Sequence, residues 1–547
     1  MTGATTPPWR GPTLLTDHRP HASHFPLELL AITLIALGVR MAALHHPHIY
    51  DELYHMLAAK SLLANGTLSI AAGEPYTRAR GFTYLVAGVF DLAGVGMTQL
   101  RLVSLVAGTL SVALLFGWLH RATGRAAAWL AAGLLALDPD TVAYSTAGRF
   151  YALQSLLFLA AVVGAWWATL PERSARSRLA ALAGVAATLA ATIHLQIASV
   201  LGAGLVVLWI VLALAIEPFA RAPVTRRRIW LAAIGVVLVA LVVGAWATGL
   251  VSWAARFSTY VPAWAADERS EFRYFYWTLL LDYPLLVTLL PLLVVLAIGR
   301  WPREAMLCVL ILAGVLGYHS LAAFKAKRFV LYVYPLWFAV SAMGLALLLR
   351  FVWDRTRELS ARAMPKVSDA ARRYASAAAL AGMLLYALLA TPGFVHLRRL
   401  MAEAGTDPWA TQAASLRRLV AEHDVVLGAA KLPMLHFVGR IDVVLERFDA
   451  TDPDRDVDGW DPQVGRPVIG SLPAFQAMQA RYPSGLVVAD SNRWRMPWAV
   501  RDSLADYIEH TLERVPMGDA RILAFRWGRS PTAIRTPEHD PASPRPK

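Results

Sequence analysis

Two adjacent carboxylates, Asp51 and Glu52, follow the first long apolar run of the chain, in the stretch HHPHIYDELYH. Acidic side chains beside a bilayer are costly unless they are paired or line a wet cavity, so they are candidates for function. A carboxylate in a cavity at the membrane surface can remove a proton from an incoming hydroxyl or amine. The same pair can instead complement the dipole of a helix N-terminus, and the local sequence leaves both interpretations open.

A second group of candidates consists of basic residues in loops that we predict to lie outside the membrane. The positive-inside tendency disfavours Lys and Arg there, so their presence indicates an anionic ligand such as a lipid phosphate. Arg offers a permanently charged fork and Lys a point charge, so a mixed set can hold a phosphate without a glycine-rich loop. Lys60 is better explained by an ammonium that reaches lipid headgroups. The candidates are Arg78, Arg80, Arg149, Lys325, Lys327 and Arg328.

The histidines near the acidic pair raise the question of a metal. His45, His46 and His48 are not spaced as partners on one helical face, so a structural metal site is the weaker interpretation. A divalent cation such as Mg²⁺ or Mn²⁺ that bridges Asp51 or Glu52 to a phosphate stays open. No other cofactor is indicated, and one cysteine in the whole chain excludes an intramolecular disulfide.

The composition places these residues in a membrane protein. The 547 residues are 57% hydrophobic and only 16% charged, with a mean hydropathy of +0.46, which excludes a soluble fold. The 52 Lys and Arg against 38 Asp and Glu give a net charge of +14. In a membrane protein this excess indicates basic cytoplasmic loops rather than a nucleic-acid partner.

Eleven apolar runs are long enough to cross the hydrocarbon core. The stretch 81–97 is apolar but short, and we predict that it lies at the membrane surface, because the arginine-rich loops then all fall on one side. The tail 1–26 is then cytoplasmic, 27–393 form the transmembrane domain of a protein of the cytoplasmic (inner) membrane, and 47–99 carry interfacial helices. The predicted spans lie near 27–46, 100–119, 126–144, 151–170, 179–195, 197–216, 229–251, 279–298, 304–319, 328–349 and 374–392.

The composition changes after residue 393. Patterns typical of short strands, such as DVVLGAA, GLVVADS and ARILAFRW, alternate with helical patterns, which predicts a small α/β domain over 394–528 on the extracytoplasmic side. No glycine-rich phosphate loop or metal cluster marks this domain, so we expect it to support the site or present the acceptor. The tail 529–547 is rich in proline and charge and is predicted to be disordered.

Four stretches together resemble a known family: YDELYHMLAAKSLLANG, the segment 101–139, YSTAGRFYAL and AFKAKRFVLYVYP. The chain resembles the GT-C superfamily of lipid-linked-sugar glycosyltransferases, in the branch of protein O-mannosyltransferases and bacterial aminoarabinose transferases of lipid A. The resemblance covers roughly 27–350. It implies an all-α polytopic membrane fold of GT-C type, here with about 11 transmembrane helices and the extracytoplasmic α/β domain.

The resemblance implies an inverting transfer of a sugar from a polyprenyl-phosphate donor to an acceptor at the outer membrane face. The acceptor would be a protein, a lipid or a polysaccharide. Asp51 would act as general base and Glu52 would assist through acceptor binding or a metal. Arg149, Lys327 and Arg328 would hold the phosphate of the donor. Further candidates for acceptor binding or an auxiliary role are His55, Tyr54, Asp138, Asp140 and Tyr151.

Two positions depart from the family pattern. Ala147 stands where the outer loop usually has Glu, so one acidic contribution is absent or comes from Asp138 or Asp140. Val103 replaces the proline of the usual Arg-Leu-Pro turn. These departures bear on the acceptor and on metal dependence more than on the class of reaction.

The alternative function is a membrane transporter or lipid flippase. Such a protein is expected to show inverted repeats and acidic residues at mid-membrane in both halves, and the sequence shows no such repeat. A membrane-anchored scaffold would leave the outer-loop cations unexplained. The sequence identifies neither the sugar nor the acceptor.

Overall fold

The structure is a computed structural model, and it describes most of the chain but not all of it. Of the predicted spans, 229–251 lies almost wholly outside the described residues, and about half of 374–392 lies outside them. The described residues are 24–71, 74–221, 271–363, 390–402, 405–446, 458–496 and 499–528, with 243, 252, 368, 370–372, 374–379 and 382 between them.

The first part of the chain is a bundle of apolar helices. Within the described ranges, seven helices are long and apolar enough to cross a bilayer, and a pair bent by 109° would make an eighth span. A multi-pass membrane protein is therefore confirmed, whereas the predicted number of eleven spans is not. The helices are α1 (Phe25–Ala42), α2 (Glu52–Asn65), α3 (Arg80–Ala93), α4 (Met97–Ala122), α5 (Arg125–Leu137), α6 (Pro139–Thr146), α7 (Tyr151–Ala168), α8 (Ala175–Leu195), α9 (Val200–Arg221), α10 (Tyr274–Asp282), α11 (Pro284–Arg300), α12 (Pro302–Leu321) and α13 (Tyr334–Ala363).

Two predicted spans are interrupted in the structure. The run 126–144 is divided at Asp138, which has an extended backbone and whose carboxylate accepts from the Thr141 N–H at 2.7 Å to cap α6. Pro139 at the first turn of α6 favours the same break. The run 279–298 is divided at Tyr283, just before Pro284 begins α11. In both places a proline that cannot donate a backbone hydrogen bond starts a new helix after a bend.

The loop between α1 and α4, which we predict to lie on the outer side, contains α2 and α3. Helix α3 has 14 residues, about 21 Å at 1.5 Å per residue, which is shorter than the hydrocarbon core of about 30 Å. One side of α3 is buried through Phe82, Val86 and Phe90, while Leu85 and Leu92 are exposed. This geometry favours the prediction that the stretch 81–97 lies at the membrane surface rather than across it.

Close helix packing supports this loop from below. Helices α11 and α13 approach each other at Gly344, where an added Cβ would lie 2.2 Å from the Leu293 carbonyl oxygen. Helix α4 packs along α1, α5 and α7 and begins at Met97, directly after the loop that carries α2 and α3. The packing of α4 against α1 therefore holds the two ends of that loop together.

The C-terminal part is an α/β domain, as predicted. Its strands form one sheet in the order β3-β4-β2-β1-β5-β7-β6 among the described residues, with a parallel centre (β4-β2-β1-β5) and antiparallel strands at both edges. The elements are α14 (Pro392–Ala402), α15 (Pro408–Ala421), β1 (Val425–Gly428), β2 (Val443–Leu445), β3 (Gly459–Asp461), β4 (Arg466–Ile469), α16 (Leu472–Arg481), β5 (Gly485–Asp490), α17 (Asp502–Thr511), β6 (Glu513–Arg514) and β7 (Ile522–Trp527).

The α/β domain is fixed to the segment just before Asp51. Asp407 caps α15 through the Trp409 N–H, and its second oxygen accepts from the His48 N–H at 2.9 Å and lies 2.6 Å from His48 Nδ1. The Arg493 guanidinium carbon lies 3.7 Å from the centre of the Tyr50 ring. Burial alone would raise the pKa of Asp407, but hydrogen bonds and the charge of His48 lower it to about 2. The carboxylate is therefore ionised at ordinary pH and holds the domain in place.

We predict that Asp407→Asn loosens this contact without unfolding α15, because asparagine also caps helices well but cannot make the charge-assisted bond to His48. Hydrogen exchange measured by mass spectrometry should increase around residues 46–50. Asp506→Asn, which removes an exposed contact to Arg495 on another side of the domain, is the control and should leave exchange there unchanged. Equal exchange in the two variants would contradict the role of Asp407.

Candidate active site

Asp51 lies at the start of α2 with its carboxylate toward the outer loops. One of its oxygens accepts from the Arg149 guanidinium. Burial raises the pKa of Asp51, but the charges of Arg149, Arg78 and Arg328 outweigh burial and bring the pKa below its ordinary value. The structure thus brings an ionised carboxylate together with three of the six predicted phosphate-binding residues.

Arg149 is the most firmly held of these cations. Its side chain is only 6% exposed, and its second terminal nitrogen donates to the Tyr151 hydroxyl at 3.1 Å. The guanidinium carbon lies 4.9 Å from the centre of the Tyr151 ring, and the Ser104 hydroxyl donates to the Arg149 carbonyl at 2.7 Å. Tyr151 therefore orients Arg149, and the charge of Arg149 is preorganised before any ligand binds.

The other two arginines approach Asp51 from different segments. Arg78 precedes α3 and is exposed, with its guanidinium carbon 5.8 Å from the centre of the Phe150 ring. Arg328 belongs to the short helical turn Lys327–Phe329 and lies over the Phe329 ring at 5.3 Å. Three chain segments that are distant in sequence therefore supply positive charge to one place.

The remaining predicted phosphate ligands lie elsewhere or are engaged. The Lys327 ammonium lies between Asp140 and Asp282, at 2.8 and 2.9 Å from their oxygens. Lys325 is buried and donates to the Ala322 carbonyl at 2.5 Å. Arg80 is exposed at the first position of α3.

Glu52 differs from its neighbour Asp51 in its burial and in the number of its hydrogen-bond partners. It is fully buried, and its two oxygens lie 3.1 and 2.8 Å from Nε and a terminal nitrogen of Arg101. The backbone N–H groups of Ile49 and Gly148 donate to the same carboxylate at 3.0 and 2.5 Å. Glu52 therefore joins the loop that carries Asp51 to the loop that carries Arg149.

Arg101 is the important residue that the sequence analysis missed. Besides Glu52, it donates to the carbonyl oxygens of Leu44, His46 and Pro47 at 2.8, 2.9 and 3.3 Å. It thereby fixes the whole turn that leads from α1 to Asp51. A signal was present, because an arginine inside an apolar helix requires a buried partner of opposite charge. The loop before α4 offers several carboxylates, and the structure shows that the partner is Glu52.

The histidines do not gather into a metal site. His55 is buried, and its Nδ1 lies 2.9 Å from the Thr83 hydroxyl of α3; burial and the charges of Arg149 and Arg78 lower its pKa well below the ordinary value. His46 and His48 contact the Pro47 carbonyl and Asp407. In the part of the chain that the structure describes, no group of three His, Cys, Asp or Glu residues is placed to hold a metal ion.

The other auxiliary candidates occupy two places. Tyr54 lies beside Asp51 in a row of three tyrosines, with ring centres 6.2 Å from Tyr50 and 6.0 Å from Tyr76. Asp138 accepts from the Tyr283 hydroxyl at 2.6 Å. Asp138 and Asp140 thus tie α6 to the bend between α10 and α11, next to the turn that carries Arg328.

These features define a class of protein: a multi-pass membrane protein in which a carboxylate and three arginines meet in the loops between helices, next to an α/β domain. No family model and no curated protein matches the chain by sequence. Solved structures match its fold.

The structure of ArnT from Cupriavidus metallidurans bound to undecaprenyl phosphate matches with a TM-score of 0.59. The two sequences are 14% identical, and the match covers 92% of this chain and 98% of that chain. The oligosaccharyltransferase from Archaeoglobus fulgidus in its apo form is 14% identical with a TM-score of 0.58, over 89% of this chain and 73% of that chain. The oligosaccharyltransferase AglB from Archaeoglobus fulgidus, in complex with an inhibitory peptide and a dolichol-phosphate, matches with a TM-score of 0.53. The two sequences are 13% identical, and the match covers 86% of this chain and 70% of that chain. These likenesses confirm the predicted fold class, a polytopic helical membrane domain followed by an α/β domain.

We predict that Glu52→Gln destabilises the protein, because it leaves the buried charge of Arg101 without its partner. Loss of one member of a buried ion pair costs about 3–5 kcal/mol. The thermal midpoint of the purified protein in detergent should fall clearly. Glu358→Gln removes a partner from the exposed pair with Arg355, is expected to cost under about 1 kcal/mol, and serves as the control. Equal midpoints for the two variants would disprove this role of Glu52.

Proposed function

We propose that the chain transfers a sugar from a polyprenyl-phosphate donor to an acceptor hydroxyl or amine at the outer surface of the cytoplasmic membrane. The observation that carries the proposal is the ionised carboxylate of Asp51 next to Arg149, with Arg78 and Arg328 also close, in a GT-C fold. One group can remove a proton and the others can hold a phosphate, which are the two needs of this reaction.

The arginines form the donor side of the site. A polyprenyl-phosphate sugar carries one negative phosphate at the end of an apolar chain, so it requires cations at the membrane surface beside apolar helices. Arg149 offers two terminal nitrogens in a fixed plane, a geometry that suits phosphate oxygens. The neighbours ArnT and AglB are described with undecaprenyl phosphate and dolichol-phosphate, which supports this assignment of the donor.

Asp51 forms the acceptor side. As the acceptor oxygen or nitrogen bonds to the anomeric carbon, its proton passes to Asp51, and the bond from that carbon to the phosphate oxygen breaks. The polyprenyl phosphate leaves with the electron pair, and the arginines stabilise its charge. A single displacement attacks the face opposite the phosphate, so the configuration at the anomeric carbon is inverted.

Glu52 acts in this proposal as a positioning residue rather than as a base, because Arg101 and two backbone N–H groups occupy its oxygens. The α/β domain holds the turn before Asp51 through His48 and Tyr50, so we place it on the extracytoplasmic side together with the site. The N-terminal tail is then cytoplasmic, in keeping with the arginine-rich loops.

Asp51→Asn is expected to reduce transfer by about 10²–10⁴-fold, the usual contribution of a general base. The contacts of Glu52 that shape the loop remain, so the variant should fold. Purified protein in lipid vesicles is supplied with radiolabelled polyprenyl-phosphate sugar and envelope extract as acceptor source, and labelled product is counted. Asp91→Asn, an exposed carboxylate of α3, is the control. Near-normal turnover by Asp51→Asn would reject Asp51 as the base, and lipid movement without product by the wild type would favour a flippase.

Arg328→Ala is expected to raise the KM for the donor about tenfold or more, because one of the three cations near the phosphate is lost. The maximal rate at saturating donor should change less. Arg273→Ala, which removes an exposed arginine before α10, should leave both constants unchanged. An unchanged donor KM in Arg328→Ala would remove Arg328 from the donor site.

A further inference from the structure

Four carboxylates near the proposed site have positively charged partners from the protein itself. Asp51 is paired with Arg149 and Glu52 with Arg101. Asp140 and Asp282 share Lys327. A divalent cation, which the sequence left open at Asp51 or Glu52, does not fit among these residues unless it displaces a side chain that is held by several contacts.

Among Arg149, Arg101 and Lys327, Lys327 is the residue whose charged group lies between two carboxylates, as a bound metal ion would. Its ammonium nitrogen lies 2.8 Å from an Asp140 oxygen and 2.9 Å from an Asp282 oxygen. The three residues come from three separate segments, namely α6, the end of α10 and the turn Lys327–Phe329. Proteins commonly hold Mg²⁺ through one or two carboxylates together with water and phosphate oxygens, and the two carboxylates around Lys327 match the protein part of such a site.

We propose that Lys327 is a built-in cation: its ammonium occupies the position that a divalent metal would take between Asp140 and Asp282, so that the outer-face site needs no metal there. Metal–oxygen bonds of about 2.0–2.2 Å would require each carboxylate to move by less than about 1 Å from its present distance. The Lys327 ammonium, which is covalently part of the chain, likewise holds α6 and the end of α10 together through Asp140 and Asp282. A chelator cannot remove it.

The charge state of Lys327 suits this role. Burial alone would lower its pKa, but the charges and hydrogen bonds of Asp140 and Asp282 raise the pKa well above the ordinary value. The side chain is therefore an ammonium at any working pH. The neighbouring contact from Tyr283 to Asp138, 2.6 Å long, joins the same two parts of the chain.

Lys327 also affects the proposed donor site, because it is adjacent to Arg328 in the chain. Arg328 is the next residue, in the same short helical turn. When Asp140 and Asp282 hold the Lys327 ammonium, they also fix the backbone that carries the Arg328 guanidinium near Asp51. Lys327 is thus a positioning residue and not a phosphate ligand, which revises the role predicted from the sequence.

The first test measures metal binding and needs no substrate. Wild type, Lys327→Ala and Lys60→Ala, purified in detergent after treatment with EDTA, are titrated with Mn²⁺ and followed by electron paramagnetic resonance. Lys60 lies in α2 and serves as the matched control. We expect Lys327→Ala to bind one Mn²⁺ at least tenfold more tightly than the other two proteins. Asp140→Asn in the Lys327→Ala background should remove the gain, and Lys327→Arg should show none.

Two results would overturn the proposal. Wild-type protein that binds Mn²⁺ and loses it in Asp140→Asn would show that the metal and Lys327 coexist. No gain of Mn²⁺ binding in Lys327→Ala would show that the position does not accept a metal. If Lys327→Ala does not fold, Lys327→Met preserves the packing of the side-chain stem and gives the same measurement.

The second test rests on the proposed transfer reaction. Wild-type turnover should be unchanged by EDTA, whereas Lys327→Ala should lose at least tenfold in rate and recover part of it with Mn²⁺. A wild-type rate that EDTA abolishes and Mn²⁺ restores would overturn the proposal. Absence of turnover in every protein would instead reject the proposed function, and the Mn²⁺ titration would still decide the role of Lys327.

Discussion

The buried ion pair between Glu52 and Arg101 is the constraint on which the site depends. Two charges removed from water are costly unless their hydrogen bonds are satisfied, and here the carboxylate receives four N–H donors while the guanidinium also binds three backbone carbonyls. These bonds run to the turn after α1 and to the loop before α7. The pair therefore determines where Asp51 and Arg149 stand relative to each other, although neither charge of the pair faces the site.

Adjacent carboxylates thus have opposite roles because their surroundings differ. Glu52 is 0% exposed and has no oxygen left for a substrate, whereas Asp51 is 37% exposed. Protonation of Glu52 would weaken four hydrogen bonds that join two loops, whereas Asp51 accepts from Arg149 alone among the described side chains. The adjacent residues Lys327 and Arg328 differ in the same way. Lys327 is paired with two carboxylates, while the charge of Arg328 lowers the pKa of Asp51.

The sequence predicted the class of fold, the α/β domain and the presence of Asp51 near basic residues, since apolar length, strand alternation and misplaced charges are local signals. The family resemblance assigned the base to Asp51 and gave Glu52 a role in acceptor binding or a metal. It could not show that Arg101 engages Glu52, because that contact forms only after folding. For the same reason, the sequence predicted one role for Lys327 and Arg328. In the structure these adjacent side chains point to different partners: Lys327 contacts Asp140 and Asp282, whereas Arg328 lies near Asp51. The bend at Asp138 lies within a run that is long enough to span a membrane, so length alone predicts one helix there. Asp138 and Pro139 are nevertheless the cap and the first-turn residue that begin α6.

The contact between Asp51 and Arg149 links donor binding to the strength of the base in the proposed reaction. Without a ligand, Arg149 is a direct partner of Asp51 and is among the charges that keep its pKa low, so the carboxylate is a weak base. A phosphate diester that takes the fixed fork of Arg149 withdraws that charge and brings its own negative charge nearby. Both changes raise the pKa of a carboxylate. Asp51 then becomes a stronger base only when the donor is in place, which restricts proton removal to the state in which the acceptor can attack the sugar.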